Sequence, residues 1–275
     1  MKNNFSEHLI YLPFAKTVIQ KRLSYKLSFF MRIFGGALQV LIMYYLWMAI
    51  YDNSATGNLY GFTRVDMITY VIISYITSKS ILANIEGTMA AEIRSGEIAM
   101  NLIKPISYYK RLLYQCLGEN ILQVITVSIP LWIGVTSIKT FIFSEALPSI
   151  STILLFILSL CLGFITMFLF NFIFGLSAFY VTYIWGFMVL KSTILRFISG
   201  ELIPIAFFPA IIVDILKFLP FSSMNYTPVM IYMEKFAGQD LVFALAVQVV
   251  WIIILYILVK ILWGKAVKKL TILGG

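Results

Sequence analysis

Charged residues are scarce in this 275-residue sequence: Asp, Glu, Lys and Arg together make up 12% of it, against roughly 25% in soluble domains. Hydrophobic residues make up 61% of the chain, and the mean hydropathy is +0.93. A water-soluble fold could not bury so much apolar surface, whereas runs of about 20 apolar residues can cross a hydrocarbon core about 30 Å thick as helices. The composition therefore predicts an all-α integral membrane protein.

Groups that usually carry catalysis are scarce as well. His8 is the only histidine, which excludes an H-E-x-x-H metal motif and argues against a histidine-based catalytic triad. The sequence contains no G-x-S-x-G elbow and no phosphate-binding loop of the form G-x-x-x-x-G-K-[ST]. Cys116 and Cys161 fall at different depths of the apolar runs, so a disulfide between them is not expected. We therefore expect a noncatalytic chain that binds no metal or cofactor itself.

Long apolar runs recur along the whole sequence. Six of them are long enough to be transmembrane helices: residues 28–50, 67–85, 117–138, 149–173, 181–199 and 241–262. Residues 5–26 combine apolar and basic side chains at helical spacing, which predicts a helix in the membrane interface, with an exposed tail as the alternative. Residues 200–240 are too apolar for an ordinary loop and are interrupted by four prolines. They predict re-entrant short helices that enter the membrane partway from the extracellular side.

Basic residues concentrate in three regions, namely residues 2–26, 86–111 and 260–269. Because Lys and Arg near the ends of spans favour the cytoplasmic side, we expect these regions and both termini to be cytoplasmic, with an even number of spans. We expect the protein in the cell (plasma) membrane. The net charge of +9 is distributed beside the apolar runs. It therefore indicates contact with anionic membrane lipids and not with nucleic acid.

Two basic residues, Lys191 and Arg196, fall inside the fifth predicted span. A charge near the centre of a bilayer costs at least about 2.5–3.5 kcal/mol, so both side chains need water, a partner or the interface. One interpretation is that they line a translocation pathway. The other is that the span is short and the two side chains reach the interface from its end.

Residues 86–111 form the longest charged stretch, and they are amphipathic. A break at Ser95-Gly96 and a stop at Lys104-Pro105 predict short helices along the cytoplasmic surface. The apolar face of this segment is predicted to consist of Ile93, Ile98, Leu102 and Ile103. Such a face could dock in a groove of another protein or lie against lipid.

Within this segment, residues 92–109 read EIRSGEIAMNLIKPISYY. This run resembles the cytoplasmic loop of the permease subunits of ABC exporters of the second type, the ABC-2-like family, which has the form I-R-x-G-E-I-x-x-x-L-x-K/R-P. A second resemblance lies in SGELIPIAFFP (Ser199 to Pro209), in LPF (Leu219 to Phe221) and in Tyr226-x-Pro228. These residues are similar to the extracellular re-entrant region that follows the fifth span in that family.

The resemblance implies six spans with an amino-terminal interfacial helix, and two permease subunits that stand on two cytoplasmic ATPase subunits. ATP and Mg²⁺ would then be bound by the ATPase and not by this chain. Residues 86–111 would be the coupling element. The resemblance assigns contact with the ATPase to Glu92, Arg94, Gly96, Glu97, Lys104 and Pro105. It favours a second, different permease as the partner over a second copy of this chain.

The expected function is therefore ATP-driven export of a hydrophobic or amphipathic compound or peptide. The alternative is a stand-alone secondary transporter or channel. Ion-coupled transporters usually place carboxylates inside their spans, whereas Glu86, Glu119, Glu201 and Asp240 lie at span ends here. An intramembrane enzyme is disfavoured because no nucleophile-base or metal constellation is recognisable.

Overall fold

The computed structural model describes residues 4–54, 57–142, 147–181 and 183–273, and these residues are predominantly helical. The α-helices along these ranges are α1 (Asn4–Ser24), α2 (Lys26–Asp52), α3 (Arg64–Ser80), α4 (Glu86–Ser95), α5 (Glu97–Leu102), α6 (Tyr108–Gln123), α7 (Ile129–Ile142), α8 (Ile150–Gly175), α9 (Trp185–Ile198), α10 (Ala210–Phe218), α11 (Pro220–Met224), α12 (Tyr226–Tyr232) and α13 (Gly238–Leu273). Before α3, strands β1 (Asn58–Leu59) and β2 (Phe62–Thr63) form a small antiparallel hairpin. A π-helix, Val124–Ser128, joins α6 to α7 without a break.

Four helical stretches are long and apolar enough to cross a membrane: Lys26–Asp52, Tyr108–Ser137, Ile150–Phe179 and Gly238–Lys268. They overlap the predicted spans at 28–50, 117–138, 149–173 and 241–262. The other two predicted spans correspond to shorter helices, α3 with 17 residues and α9 with 14 residues. At about 1.5 Å per residue, α9 is roughly 21 Å long, which is less than a hydrocarbon core of about 30 Å. Helix length and composition thus support four spans, and six stays a prediction.

Several predicted boundaries differ from those of the structure, and local capping explains two of the helix starts. The predicted interfacial helix at 5–26 ends at Ser24, and α2 already begins at Lys26. The second predicted span starts at Arg64 because Thr63 and Asp66 form a capping box, and it ends at Ser80 instead of residue 85. Ser107 accepts a hydrogen bond from the backbone of Lys110 and so starts α6 nine residues before the predicted third span.

Helix α1 packs along α6 and is not an exposed tail. Arg22 forms an ion pair with Glu119, and the Tyr11 hydroxyl accepts a hydrogen bond of 2.8 Å from the backbone N–H of Ser107. The helices approach closely at Gly118, where a Cβ atom would lie 2.5 Å from the carbonyl oxygen of Ala15. The basic carboxyl-terminal end of α1 therefore lies beside α6.

The apolar core consists of two clusters. One cluster joins α4, α5, α6, α8 and α13 around the fully buried side chains of Met89, Ile98, Leu112, Phe168 and Phe172. The other joins α3, α12 and the β-hairpin around Phe62, Met67, Tyr70, Ile73 and Val229. Helix α8 contributes to both clusters. The first cluster supports the segment with the family-like motif, and the second supports residues 200–240.

Residues 200–240 are folded into short helices packed against the middle of α3 and α8. The Asn225 side chain donates a hydrogen bond of 3.0 Å to the Ser74 hydroxyl, which lies in the middle of α3. The Gln248 side chain donates a bond of 2.7 Å to the carbonyl oxygen of Ser223. Pro209 and Pro220 separate α10 and α11 from the residues before them. The depth of these helices in a membrane stays a prediction.

Candidate functional site

Residues 86–102 fold as two consecutive helices, α4 and α5, and we call this segment the α4–α5 hairpin. Glu86 in the first turn of α4 and Arg94 in its last turn carry charges that suit the helix dipole. The chain turns between α4 and α5 at Gly96, whose φ of 77° lies in the left-handed region that glycine adopts without strain. Helix α5 ends at Leu102, two residues before the predicted stop at Lys104-Pro105.

The apolar face of the hairpin is turned inward. Ile98 is fully buried, and Ile93 and Leu102 pack partly buried against the same core. Of the four residues predicted to form a docking face, only Ile103 is exposed, at 75%. The prediction of an apolar docking surface is therefore wrong, because Ile93, Ile98 and Leu102 pack on the core of this chain.

Glu92 is a buried internal partner of α6. One terminal nitrogen of Arg111, Nη2, lies 2.8 and 2.6 Å from the two carboxylate oxygens of Glu92, and the Tyr108 hydroxyl donates to the same carboxylate at 2.9 Å. Both ion-pair side chains are 9% exposed. In this structure Glu92 is not accessible to another protein, because its carboxylate is already used to hold α4 against α6. Its role is to position the hairpin.

The other predicted coupling residues, Arg94, Gly96, Glu97, Lys104 and Pro105, are all exposed. The Arg94 guanidinium lies 5.7 Å from the ring centroid of Tyr183, and the Lys104 ammonium donates to the Asn101 side chain at 2.9 Å. The exposed side of the hairpin therefore presents charges of both signs, while buried contacts hold its other side against this chain.

The Lys191 side chain is largely buried and has two polar partners. Its ammonium lies 2.6 Å from Oε1 of Glu86 and donates at 2.7 Å to Oδ1 of Asn171. Asn171 also donates a bond of 2.7 Å to the carbonyl oxygen of Ala83. The side chains of Lys191 and Glu86 are 9% and 7% exposed, so Lys191 does not reach toward an interface. This junction connects α9 to α8 and to the first residue of α4.

Arg196 follows Lys191 on α9, and its Nε lies 2.9 Å from Oε1 of Glu201. This ion pair is more exposed than the pair of Lys191 and Glu86. Lys191 and Arg196 line one cleft with an empty volume of about 890 Å³. The cleft also receives the side chains of Gln39, Lys79, Asn84 and Asn225. The structure thus places Lys191 and Arg196 in the wall of one cleft, and their role in a translocation pathway stays a prediction.

Sequence reasoning did not find the partners of these cations. The sequence predicts Glu86 and Glu201 at span ends and gives no sign that they pair with these cations. A cation inside a span signals that a partner must exist. The identity of that partner depends on tertiary packing, because Glu86 and Lys191 are 105 positions apart in the sequence.

The α4–α5 hairpin and the cleft both lie within the part of the chain that matches a known protein family. A family model described as "ABC-2 family transporter protein" matches residues 37–274. The chain belongs to the ABC-2 transporter family. The resemblance found at residues 92–109 is therefore confirmed, and the protein is a multi-pass membrane transport permease. ABC-2 permeases are in general noncatalytic and in general act with an ATPase subunit. Searches of curated proteins and of solved structures each gave no match.

Proposed function

We propose that this ABC-2 permease is the noncatalytic membrane subunit of an ATP-driven exporter that moves a hydrophobic or amphipathic compound or peptide. ATP and Mg²⁺ are bound by a separate cytoplasmic ATPase, and this chain contributes the translocation pathway. The family membership supports a transport role. The coupling to ATP and the class of substrate are the parts that experiment has to test.

The exposed side of the α4–α5 hairpin is the observation that supports coupling to an ATPase. Arg94 and Glu97 lie on either side of Gly96, and both are exposed. Their charged groups can therefore form charge-assisted hydrogen bonds with a partner. The buried Glu92–Arg111 ion pair fixes the hairpin to α6, and the Glu86–Lys191 ion pair fixes it to α9. A force applied to the hairpin by a partner would reach two membrane helices through these contacts.

In this proposal the chain crosses the plasma membrane six times, with both termini in the cytoplasm. Helix α3, with 17 residues, is at the lower limit of length for a transmembrane helix. Helix α9 is too short to cross alone, and residues 200–240 complete its path, since they pack against the middle of α3 and against α8. Basic residues at 2–26, 86–111 and 260–269 favour the cytoplasmic placement of those regions.

A second permease subunit is proposed to complete the pathway, and a different chain is favoured over a second copy. Helices α2 and α9 both contribute to the lining of the cleft, and both also expose large apolar side chains. Examples are Phe30 and Phe34 on α2 and Phe187 and Leu190 on α9. Such a surface suits either a neighbouring permease or the apolar chains of membrane lipids.

The first test reverses charge on the exposed side of the hairpin. The permease is expressed together with a candidate ABC ATPase subunit, and Arg94→Glu and Glu97→Lys are compared with Lys217→Glu, a charge reversal at an exposed position of α10. Since a hydrogen bond to a charged group contributes about 1.5–3 kcal/mol, each hairpin variant should lower transport-coupled ATPase activity about tenfold or more. Lys217→Glu should stay near wild type. Full coupled transport in both hairpin variants would refute the proposed contact.

The alternative, a stand-alone secondary transporter or channel, is favoured by one observation. The buried Glu86–Lys191 ion pair lies in the wall of the cleft, and intramembrane ionisable groups often mark ion pathways. Purified permease in liposomes distinguishes the two functions. Substrate movement driven by an imposed ion gradient without an ATPase would establish the alternative, whereas movement only with ATPase and ATP would exclude it.

A further inference from the structure

A row of neighbouring clefts extends from α1 to α9. Three clefts with empty volumes of about 1290, 1130 and 890 Å³ adjoin one another, because they share wall residues. Asn84 lines all three, Arg32 lines the first two, and Lys79 lines the last two. We call these three clefts together the basic trench.

The charges in the basic trench are unbalanced. Its basic residues are Lys21, Arg22, Arg32, Lys79, Lys191 and Arg196, and its carboxylates are Glu86, Glu119 and Glu201. Each carboxylate is already paired, because Glu86 binds Lys191, Glu201 binds Arg196 and Glu119 binds Arg22. Within the described part of the chain, Lys21, Arg32 and Lys79 have no ion pair. The trench therefore has an excess of positive charge.

Lys79 is the most informative of these three cations. It lies in the last turn of α3, is partly buried, and its ammonium lies 4.8 Å from the ring centroid of Tyr75. An aromatic face compensates a cation only in part. An uncompensated charge between low-dielectric walls is costly, and such walls also concentrate the field toward an incoming ion of opposite sign. A bound anion would offset this cost.

Apolar side chains line the same trench. The middle cleft is formed in part by Phe29, Met31, Ile33, Leu122 and Val127, close to Arg32 and Lys79 in its wall. A small inorganic anion would leave this apolar surface uncovered. A neutral or cationic amphiphile would leave the positive charge uncompensated. The lining as a whole fits a molecule that has an anionic group at one end and an apolar body.

We propose that the basic trench binds the anionic head group of an amphipathic molecule, a carboxylate, phosphate or sulfate, through Arg32 and Lys79. The apolar body lies against α2 and α6. This inference rests on the proposed function, in which the trench belongs to the transport pathway, and it narrows the substrate to anionic amphiphiles. The same chemistry is shared by the head group of an anionic phospholipid.

The test measures equilibrium binding to the purified permease, without an ATPase, in nanodiscs of phosphatidylcholine. Dodecyl phosphate is the probe, dodecyl maltoside is the neutral comparison with the same chain, and nanodiscs without protein give the background. Dodecyl phosphate should bind at least about tenfold more tightly, since one charged hydrogen bond is worth about that factor. The double variant Arg32→Gln/Lys79→Gln should lose this preference.

Two further variants separate binding from folding. Arg32→Lys/Lys79→Arg keeps both charges and should keep the preference. Lys265→Gln removes one charge at an exposed position of α13 outside the trench and should leave binding unchanged. Equal affinity for the two probes, or an unchanged preference in the Gln double variant, would overturn the proposal.

The source of the head group is decided by repeating the measurement in nanodiscs that contain phosphatidylglycerol. Competition with dodecyl phosphate supports the anion site and assigns it to membrane lipid, and lack of competition supports the site and assigns it to a transported amphiphile. Because no ATPase is present, a failure of this binding test leaves the hairpin test untouched. A failure of the hairpin test likewise leaves the binding result standing.

Discussion

The Glu92 carboxylate is buried and accepts hydrogen bonds from two side chains of the same chain, Arg111 and Tyr108. The ion pair with Arg111 joins α4 to α6, and the Tyr108 ring stacks on Trp263 of α13 at a centroid distance of 5.2 Å. A buried ion pair adds little net stability compared with apolar residues, but removal of one partner leaves an uncompensated buried charge. The position of the hairpin therefore depends on both residues together.

Arg111→Met should destabilise the protein by about 3–5 kcal/mol, because it leaves the Glu92 carboxylate buried without its cation. The expected result is a large decrease in the thermal unfolding midpoint of the detergent-solubilised permease. Arg196→Met is the matched control, since its side chain is 40% exposed and an exposed pair contributes about 0–1 kcal/mol. Equal decreases in the two variants would show that burial of the Glu92 pair has no special effect.

Among the helices, α1 depends on a close backbone approach at Gly118. A Cβ atom at this position would meet the backbone of Ala15, whereas a Cβ atom at Gly134 of α7 would meet no atom within 4 Å. The contact leaves no room for a side chain, and neither backbone can move without separating α1 from α6. The amino-terminal helix is thus attached through one narrow contact and a few polar bonds.

Gly118→Ala should loosen α1 and lower stability by about 1–3 kcal/mol, as overpacking does. Gly134→Ala is the control and should be neutral or slightly stabilising, because alanine favours a helix over glycine. Limited proteolysis near Ser24, followed by mass spectrometry, measures the release of α1, and thermal unfolding measures the stability. Equal cleavage rates in both variants would contradict the importance of this contact.

At the scale of elements, the sequence predicts what depends on local pattern. Apolar runs located the long helices, and the Ser95-Gly96 break coincides with the end of α4, because a glycine with positive φ is a local requirement. The same pattern could not show what the apolar face of residues 93–103 covers. Periodicity identifies a face that is buried, but the surface that buries it is set by tertiary packing. The direction of that face was therefore predicted wrongly.

The candidate site was predictable to a similar degree. The sequence singled out Lys191 and Arg196 because a charge in an apolar run is unusual. Their partners, Glu86 and Glu201, become apparent only when α9 is placed beside α4 and the residues after α9. Glu92 and Arg94 were both assigned to the coupling residues, although Glu92 is buried and Arg94 is exposed. A motif identifies a segment and not the side of it that is accessible.

For the whole molecule, the distribution of basic residues predicts which ends of the helices face the cytoplasm. Lys104 beyond the hairpin and Lys217 on α10 are both exposed, so both positions can accept a cysteine that reacts from solvent. With six spans they lie on opposite sides of the membrane. The two positions therefore report the overall topology.

Lys217→Cys should react with a membrane-impermeant maleimide in intact cells, and Lys104→Cys should react only after permeabilisation. The native cysteines, Cys116 and Cys161, are first replaced by alanine so that only the introduced thiol is measured. The parent without cysteines is the control for background labelling. Reaction of both positions from the same side would refute the proposed arrangement of spans.

The Glu86–Lys191 contact has a consequence for movement. Glu86 is the first residue of α4, and Lys191 lies near the middle of α9, with 2.6 Å between the carboxylate oxygen and the ammonium. A displacement of α4 by a few ångströms would break this hydrogen bond unless α9 moved with it. Because separated charges inside a protein cost several kcal/mol, joint motion is the less costly outcome. The width of the cleft beside α9 would then change whenever a partner pushes on the α4–α5 hairpin.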